Sequence, residues 1–244
     1  MSRANTRAMG GDLAALGSVL ADRTRADACL LLLDNRRWTC SELASALGVA
    51  RSTMTEHANV LVDAGLLEQE RAGRHRYLRL AGDETAELLE YLVARSPRRT
   101  TMRSSLRSVS QHDALRRGRT CYDHLAGVLG VQVTQSMLAN GYLRDQLGWS
   151  LTPNGIEWLA SVGADVEAFD HGRRPLVRQC IDWTEREPHL AGRAGAALCD
   201  QFFVHGWIAR YGTTRAVRVT DEGRTALVDH FSIATPVDST ATAS

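Results

Sequence analysis

The chain has 244 residues, 44% of them hydrophobic and 23% charged, with a formal net charge of +1. These values exclude a disordered or fibrous protein, and the length fits two compact domains joined by a linker. The chain contains no apolar run near the ~20 residues that a membrane-spanning helix needs, and no apolar leader follows the first residues. We therefore expect a cytoplasmic protein that has no membrane partner.

Five cysteines are scattered along the chain: Cys29, Cys40, Cys121, Cys180 and Cys199. Their odd number, without a secretion leader, argues against a disulfide framework, so we expect free thiols. Because the net charge is close to zero, any affinity for nucleic acid has to come from a local concentration of positive charge.

The first third of the chain predicts a helix-turn-helix. Residues 1–11 are expected to be disordered, and apolar spacing predicts helices from Asp12 and over residues 24–33. Thr39 and Glu42 have the spacing of a capping box, which begins a short helix that ends at Gly48. A further helix is expected to open at Ser52 or Thr53.

That further helix has two different faces. Met54, Ala58, Leu61 and Val62 fall on one side, whereas the opposite side is polar. Residues 66–80, with Gly73 at their turn, predict a hairpin of the kind called a wing. Helix and wing together predict a DNA-reading surface, with the helix in the major groove. Its expected DNA-binding residues are Arg51, Ser52, Thr53, Thr55, Glu56, His57, Asn59, Arg71, Arg74, His75 and Arg76.

Short segments in this region resemble the ArsR family of winged-helix regulators. The matching segments are Asp22-Arg23-Thr24-Arg25, Ser41-Glu42-Leu43-Ala44, Thr53-Met54-Thr55-Glu56-His57 and Leu61-Val62-Asp63-Ala64-Gly65-Leu66. The resemblance implies a homodimer that binds a palindromic operator on double-stranded DNA. It also implies that the first helix and the helix over 84–94 build the dimer, with Leu88, Leu89, Leu92 and Val93 as the seam. Alternatively, that apolar stripe covers its own domain.

One departure from the family concerns metals. Metal-sensing members carry a Cys-x-Cys pair before the recognition helix, where this chain has only Cys40. A single thiol cannot form a three- or four-coordinate site by itself, so we interpret Cys29 and Cys40 as packing residues.

Downstream of a basic linker over 95–118, the sequence repeats itself. His124-Leu125-Ala126-Gly127 recurs as His189-Leu190-Ala191-Gly192, an offset of 65 (189 minus 124). Each copy predicts a long helix ending at glycine, a small strand-loop-strand and a final helix capped by threonine. We therefore predict a mainly α fold with small β-hairpins (α+β), in which a winged helix-turn-helix domain (12–94) precedes two tandem winged-helix-like repeats. The sensor domain spans 119–231, with repeats at about 119–172 and 178–231, and 232–244 form a tail.

An arginine, a cysteine and an aspartate precede the repeated helix in both copies. With the neighbouring aromatic and histidine residues they form a candidate ligand site between the copies. Its residues are Arg119, Cys121, Tyr122, His124, Arg178, Cys180, Asp182, Trp183 and His189. Three interpretations stay open: buried packing with arginine–aspartate pairs, an organic ligand with a carboxylate or ring, and a metal or thiol-redox site. Because Cys-x-x-His spacing is common by chance, we predict no metal ligands and no cofactor.

The two halves together predict a DNA-binding transcriptional regulator, in the first place a repressor, whose C-terminal domain binds a small effector. A redox- or metal-responsive regulator is the alternative. An enzyme using Cys121 or Cys180 is a further one. Because residues 111–231 contain no glycine-rich strand-to-helix turn and no alternating strand-helix pattern, no enzyme is expected.

Overall fold

A computed structural model describes residues 3–73, 75–97, 113–170, 174–212 and 214–234. The chain divides into an N-terminal unit, Met1–Leu89, and a C-terminal unit, Glu90–Ser244. Within the described ranges, none of the helices combines the length and the apolar character that crossing a bilayer requires.

The N-terminal unit is a winged helix-turn-helix. Its strands form one sheet in the order β1-β3-β2, with β3 antiparallel to both neighbours. Helices α3 and α4 are the helix-turn-helix, and β2 and β3 are the wing. The elements are α1 (Arg3–Leu20), α2 (Arg23–Leu32), β1 (Trp38–Thr39), α3 (Cys40–Leu47), α4 (Arg51–Asp63), β2 (Leu67–Ala72), β3 (His75–Leu80) and α5 (Asp83–Arg95), the last of which continues into the C-terminal unit.

Local signals position α3 as the sequence predicts. The Thr39 side chain accepts from the Glu42 amide while the Glu42 carboxylate accepts from the Thr39 amide, so both halves of the capping box are present. Gly48 ends the helix in the left-handed conformation, with φ of 68°. This turn lets α4 start only three residues later, with α3 and α4 packed against each other.

Two helix starts differ from the sequence expectation. Helix α1 begins at Arg3, so residues 3–11 are helical and not disordered; Gly10 and Gly11 disfavour a helix but do not break it. Helix α4 begins at Arg51, and its N-cap Ala50 provides no side-chain hydrogen bond. The hydroxyls of Ser52 and Thr53 therefore lie inside the helix and do not cap it.

The C-terminal unit alternates hairpins and helices. Each hairpin is a separate two-stranded antiparallel sheet, and the succession hairpin-helix-hairpin-helix occurs twice in chain order. The first succession is β4 (Arg119–Cys121), β5 (His124–Ala126), α6 (Gly127–Ala139), β6 (Leu143–Asp145), β7 (Trp149–Leu151) and α7 (Pro153–Ser161). The second is β8 (Arg178–Ile181), β9 (Pro188–Ala191), α8 (Gly192–Val204), β10 (Ile208–Arg210), β11 (Val217–Val219) and α9 (Asp221–Phe231).

The sequence anticipates every part of each succession except its first hairpin. Thr152 and Thr220 cap α7 and α9 as predicted, and Pro153 lies in the first turn of α7. The hairpins β4–β5 and β8–β9 were not predicted, because strands of three or four residues carry too short an alternation to be recognised. These hairpins hold the candidate ligand residues.

Both successions are packed into one hydrophobic core. Residues from α6, α7, α8 and α9 meet there, including Leu129, Leu159, Leu198 and Leu227, each at most 2% exposed. Helices α6 and α8 each lie against the hairpin of the other succession, α6 on β9 and α8 on β5. Neither half could bury its apolar face alone, so the two halves fold as one unit.

Two glycines at matching places in this unit permit a close backbone approach. A Cβ atom at Gly155 would lie 2.1 Å from the carbonyl oxygen of Tyr142, and one at Gly223 would lie 1.9 Å from that of Trp207. Both distances are far below van der Waals contact with backbone atoms that cannot move away. Glycine is therefore required where each threonine-capped helix crosses the preceding chain.

The ends of the predicted linker and tail belong to this unit. Most of the linker, residues 98–112, lies outside the described residues, but residues 113–117 are helical, and Ala114 and Leu115 pack with Ala216. Ile233 packs against the main core, while residues 235–244 of the predicted tail lie outside the described residues.

Candidate functional site

Helix α4 presents a polar face on the N-terminal unit. Met54, Ala58 and Leu61 are completely buried and anchor the helix. The residues that alternate with them at helical spacing point outward: Arg51, Ser52, Glu56 and Asn59 are exposed, and Thr53 and Thr55 are partly exposed. The polar face of this helix is thus accessible to a partner.

The wing, which follows α4 in the chain, carries several positively charged side chains. Arg71 and His75 are exposed, and Arg71 lies opposite Arg76 across the two strands. Arg76 donates from Nη1 to Oδ1 of Asn59 at 2.7 Å, a bond that connects the wing to α4. Arg74, predicted to bind DNA, lies outside the described residues.

Thr55 and His57, also predicted to bind DNA, have partners within the unit as well. The Thr55 hydroxyl donates to the carbonyl oxygen of Arg51 at 2.8 Å. The hydroxyl oxygen of Thr55 can therefore still accept a hydrogen bond from a partner. Nε2 of His57 lies 3.9 Å from Oδ1 of Asp22, and the histidine side chain is only 18% exposed. Since Asp22 caps α2, His57 is directed toward that helix start.

The second candidate site is a buried cluster in the C-terminal unit. Cys121 pairs across β4–β5 with His124, and Cys180 pairs across β8–β9 with His189. Each residue offers one ligand atom, the sulfur of a cysteine or a ring nitrogen of a histidine. These four atoms all lie within 4.8 Å of one another. We call this set the Cys2His2 cluster. Cys121, His124 and His189 are buried at 1%, 0% and 0% exposure, and Cys180 is half-buried.

Each histidine of the Cys2His2 cluster has a carboxylate on its Nδ1 side. Asp123 Oδ1 is 3.3 Å from Nδ1 of His124, and Asp182 Oδ2 is 3.7 Å from Nδ1 of His189. Among the described residues, neither histidine has a hydrogen-bond partner at Nε2. The two rings lie with centroids 5.1 Å apart. Among the described residues the cluster therefore contains three buried ring nitrogens without a hydrogen-bond partner, Nε2 of His124 and both nitrogens of His189, an uncommon arrangement in a folded interior.

Arg119 and Asp182 form an ion pair beneath the cluster. Arg119 donates from Nη2 to Oδ2 of Asp182 at 2.9 Å, and both side chains are 0% exposed. The same Asp182 oxygen accepts from the amide of Gly127 at 2.6 Å. The indole of Trp183 lies 5.1 Å from the guanidinium carbon, measured to the ring centroid. Arg119 is therefore already neutralised by Asp182 and packed against Trp183.

Cys121 contacts a second buried acid. Its Sγ donates to Oε2 of Glu90 at 3.0 Å, and Oε1 of Glu90 accepts from Arg215. The neighbouring thiol of Cys180, burial and the Glu90 carboxylate all raise the pKa of Cys121 above its ordinary value. Burial alone would raise the pKa of Glu90, but Arg215 and Arg119 hold it below its usual value. At neutral pH the pair is thus a thiol and a carboxylate.

The carboxylates beside the histidines stay ionised. Burial alone would raise the pKa of Asp123, but hydrogen bonds from His124 and Arg174 lower it below its ordinary value. For Asp182, burial is likewise outweighed, by Arg119 and His189, and its pKa is lowered. Burial would lower the pKa of His124, whereas Asp123 raises it overall.

The structure brings together most of the predicted ligand residues, but not all. Cys121, His124, Cys180, Asp182, His189, Arg119 and Trp183 are all part of this buried region. Tyr122 is 52% exposed at the β4–β5 turn, with Arg174 above its ring. Arg178 is half-buried in β8. The predicted ligand residues that come together thus form a buried cluster.

Sequence reasoning missed Glu90 and the histidine partner role of Asp123. Glu90 is 2% exposed on α5 and lies four residues before the buried Ala94, so both residues are on the same inner face of the helix. An acidic residue on that apolar face is the signal that could have revealed Glu90. For Asp123, the signal was its position beside His124. Cys29 and Cys199 are separate from the cluster, and burial raises the pKa of each to about 12, as expected for inert packing thiols.

A helix-turn-helix with a polar outward face, followed by a basic wing, defines a DNA-binding protein of the winged helix-turn-helix class. Residues 20–70 match the family profile described as "Helix-turn-helix domain". The chain is also 35% identical over 226 residues, 92% of its length and 99% of the relative's, to the uncharacterized HTH-type transcriptional regulator YdfF of Bacillus subtilis (strain 168). The protein belongs to this family of HTH-type transcriptional regulators.

Solved structures resemble part of the chain. The homodimeric winged helix-turn-helix domain of Mb0332 from Mycobacterium bovis, a possible ArsR-family regulator, is 27% identical and covers 38% of this chain and 83% of its own, with a TM-score of 0.34. The transcriptional repressor BigR from Xylella fastidiosa is 21% identical and covers 41% of this chain and 100% of its own, with a TM-score of 0.35.

Proposed function

We propose that this DNA-binding regulator acts as a homodimeric repressor that binds a palindromic operator and releases it when the C-terminal unit binds an effector. The observation that supports the DNA half best is the exposed polar face of α4, connected to the wing by the Arg76–Asn59 hydrogen bond. That bond holds a helix that can read base edges beside a hairpin that can reach phosphates.

The chemistry of the surface divides between these two tasks. Ser52 and Glu56 on α4 can exchange hydrogen bonds with base edges, and a carboxylate accepts from the exocyclic amine of cytosine. Arg71 on the wing carries a full charge with exposed donors, which suits phosphate oxygens on any sequence. We therefore assign specificity to α4 and salt-dependent affinity to the wing.

Exposed apolar side chains support the dimer. On α1, Leu13 is 72% exposed, and on α5, Leu88, Tyr91 and Leu92 are 38%, 50% and 41% exposed. Leucines at such exposure cost free energy in water unless a partner covers them. The Mb0332 domain is described as homodimeric. A second copy placed on these helices would align two recognition helices with two half-sites.

We further propose that the C-terminal unit arose by duplication and is the sensor. Its two successions of elements, with matching threonine caps and crossing glycines, support the duplication. Its buried cluster of titratable groups supports a sensing role. A unit built only for stability gains little from such groups, because they cost free energy to bury.

The DNA half is tested by fluorescence anisotropy with the duplex upstream of the protein's own gene. We expect Arg71→Ala to weaken binding to every duplex. The decrease of the logarithm of the association constant with the logarithm of the salt concentration should also become less steep, by about 1 in slope. Arg144→Ala, an exposed arginine of the C-terminal unit, is the control and should leave binding unchanged. If Arg144→Ala lowered the affinity as much as Arg71→Ala does, the assignment of phosphate contacts to the wing would be wrong.

A further inference from the structure

We propose that Cys121, His124, Cys180 and His189 bind one divalent transition-metal ion of the zinc type in a tetrahedral site, and that this ion is the effector. The regulatory half of this inference rests on the proposed function, whereas the binding site stands on its own geometry.

The spacing of the four ligand atoms suits a tetrahedral ion. Zn–S and Zn–N bonds of about 2.3 and 2.0 Å place the ligand atoms of a tetrahedral site roughly 3.3 to 3.8 Å apart. All four atoms here already lie within 4.8 Å of one another. Closing the difference takes side-chain rotations at the ends of two hairpins, whose backbones hold each cysteine opposite its histidine.

The orientation of the histidines is that of metal ligands. A metal-binding histidine uses one ring nitrogen as ligand and directs the other toward a carboxylate, carbonyl or water. Asp123 and Asp182 lie on the Nδ1 sides of His124 and His189, which leaves both Nε2 atoms for the ion. Within the described part of the chain these buried Nε2 atoms have no hydrogen-bond partner, so a ligand is what would satisfy them.

The charge of the four ligands favours a divalent ion. Two thiolates and two neutral imidazoles around a divalent cation are neutral in total, which a buried site requires. Binding forms two metal–sulfur and two metal–nitrogen bonds and releases the thiol protons of Cys121 and Cys180 to solvent, with no oxidant consumed. A tetrahedral set of two sulfur and two nitrogen ligands is typical of zinc, whereas magnesium and calcium prefer oxygen.

The ion would alter a contact made by α5. In the structure the Cys121 thiol donates to Glu90, a residue in the second half of that helix. A metal-bound thiolate has no proton to donate, so the ion removes this hydrogen bond, whereas the bond from Arg215 to Glu90 remains. Residues 83–89 of the same helix belong to the N-terminal unit, so a change at Glu90 acts on a continuous helix.

The site is tested on the purified full-length chain, reduced and stripped with a chelator. We expect one Zn²⁺ per chain, and one Co²⁺ with the intense visible bands of tetrahedral coordination together with sulfur-to-cobalt charge transfer. Cys180→Ala, at the half-buried position least critical for packing, should lower Zn²⁺ affinity by about 100-fold or more. Cys199→Ala removes a buried thiol outside the cluster and should keep the stoichiometry and the cobalt spectrum.

Several outcomes would overturn the site. These are octahedral cobalt bands, binding that survives Cys180→Ala unchanged, and absence of Zn²⁺ binding by the reduced protein. A reduced protein that takes up no Zn²⁺ but forms a Cys121–Cys180 disulfide when treated with hydrogen peroxide, which is reduced to water, would replace the metal site with a redox pair. Circular dichroism of each variant establishes that it is folded, and the unsubstituted protein provides the stoichiometry without any variant.

The coupling is tested by anisotropy with the operator duplex. We expect Zn²⁺ to lower the affinity of the unsubstituted protein by about 5- to 150-fold and to change that of Cys180→Ala by less than twofold. Stoichiometric Zn²⁺ with unchanged DNA affinity would overturn the effector role while the site stands. Absence of specific DNA binding in both the stripped and the loaded protein would instead overturn the proposed function.

Discussion

The two units place their polar groups in opposite ways. In the N-terminal unit the candidate residues Arg51, Ser52 and Glu56 are exposed on a helix whose other side is buried. In the C-terminal unit most of the corresponding candidates are interior, and His124 and His189 are 0% exposed. A surface that meets a large charged polymer needs accessible donors, whereas a site for something small can be enclosed.

The difference also affects energetics. Exposed charges contribute little to stability, because water solvates them in the folded and unfolded states alike. Buried charges cost several kcal/mol each unless they are fully paired, so each member of the interior network depends on the others. Substitutions should therefore affect DNA affinity in one unit and the free energy of unfolding in the other.

The largest expected effect comes from the buried ion pair. Asp182→Ala leaves Arg119 without its ionic partner and the Gly127 amide without its acceptor. We expect it to lower the free energy of unfolding of the C-terminal unit by about 3–5 kcal/mol, measured by urea denaturation. Asp221→Ala, which removes an exposed partner of Arg224, is the matched control and should change stability by at most about 0.5 kcal/mol.

An intermediate effect is expected on the recognition helix. Glu56 is exposed on α4, so Glu56→Ala should leave folding unchanged and alter base preference at one operator position by about 1–3 kcal/mol. The measurement is a comparison of affinities over a set of duplexes that differ at single positions. A uniform loss over all duplexes would instead place Glu56 outside base readout.

The smallest effect concerns the capping box. Thr39→Ala removes the acceptor for the Glu42 amide and should lower stability by about 1 kcal/mol, measured by thermal unfolding. Hydrogen bonds from Thr39, first from its amide and then from its hydroxyl, lower the pKa of Glu42 below 4.5. The carboxylate therefore stabilises the fold above pH 4.5, and this contribution is lost as the pH falls through the lowered pKa.

The pH dependence separates the cap from the rest of the fold. Glu42→Gln removes the titrating group, so its stability should fall less steeply below pH 4.5 than that of the unsubstituted protein. Glu68→Gln, at an exposed wing residue paired with Arg79, is the matched control and should preserve most of the slope. An unchanged slope in Glu42→Gln would show that the capping box does not contribute to acid stability.

The sequence predictions were more successful in the N-terminal unit than in the C-terminal unit. The capping box, the Gly48 turn and the buried face of α4 were predictable because each depends on residues at most four positions apart. The hairpins β4–β5 and β8–β9 were not, since their strands are too short for a hydrophobic period. Helix α1 extends to Arg3, which the composition of residues 1–11 did not suggest.

The site residues were found more readily than their arrangement. Repetition of the His-Leu-Ala-Gly segment identified Cys121, His124, Cys180 and His189 as candidates, but spacing alone favoured no metal site. Their ligand atoms come within 4.8 Å only because two hairpins separated by more than fifty residues meet. Glu90, contributed by α5, could not be placed beside Cys121 from local pattern.

The amino-acid sequence by itself determined the helix-turn-helix, the wing and the capped helices, because hydrogen bonds between near neighbours and the helical period specify them. The tertiary structure alone decided which buried acids face which histidines and thiols. Those contacts join residues far apart in the chain, and no local preference encodes the point at which two hairpins cross.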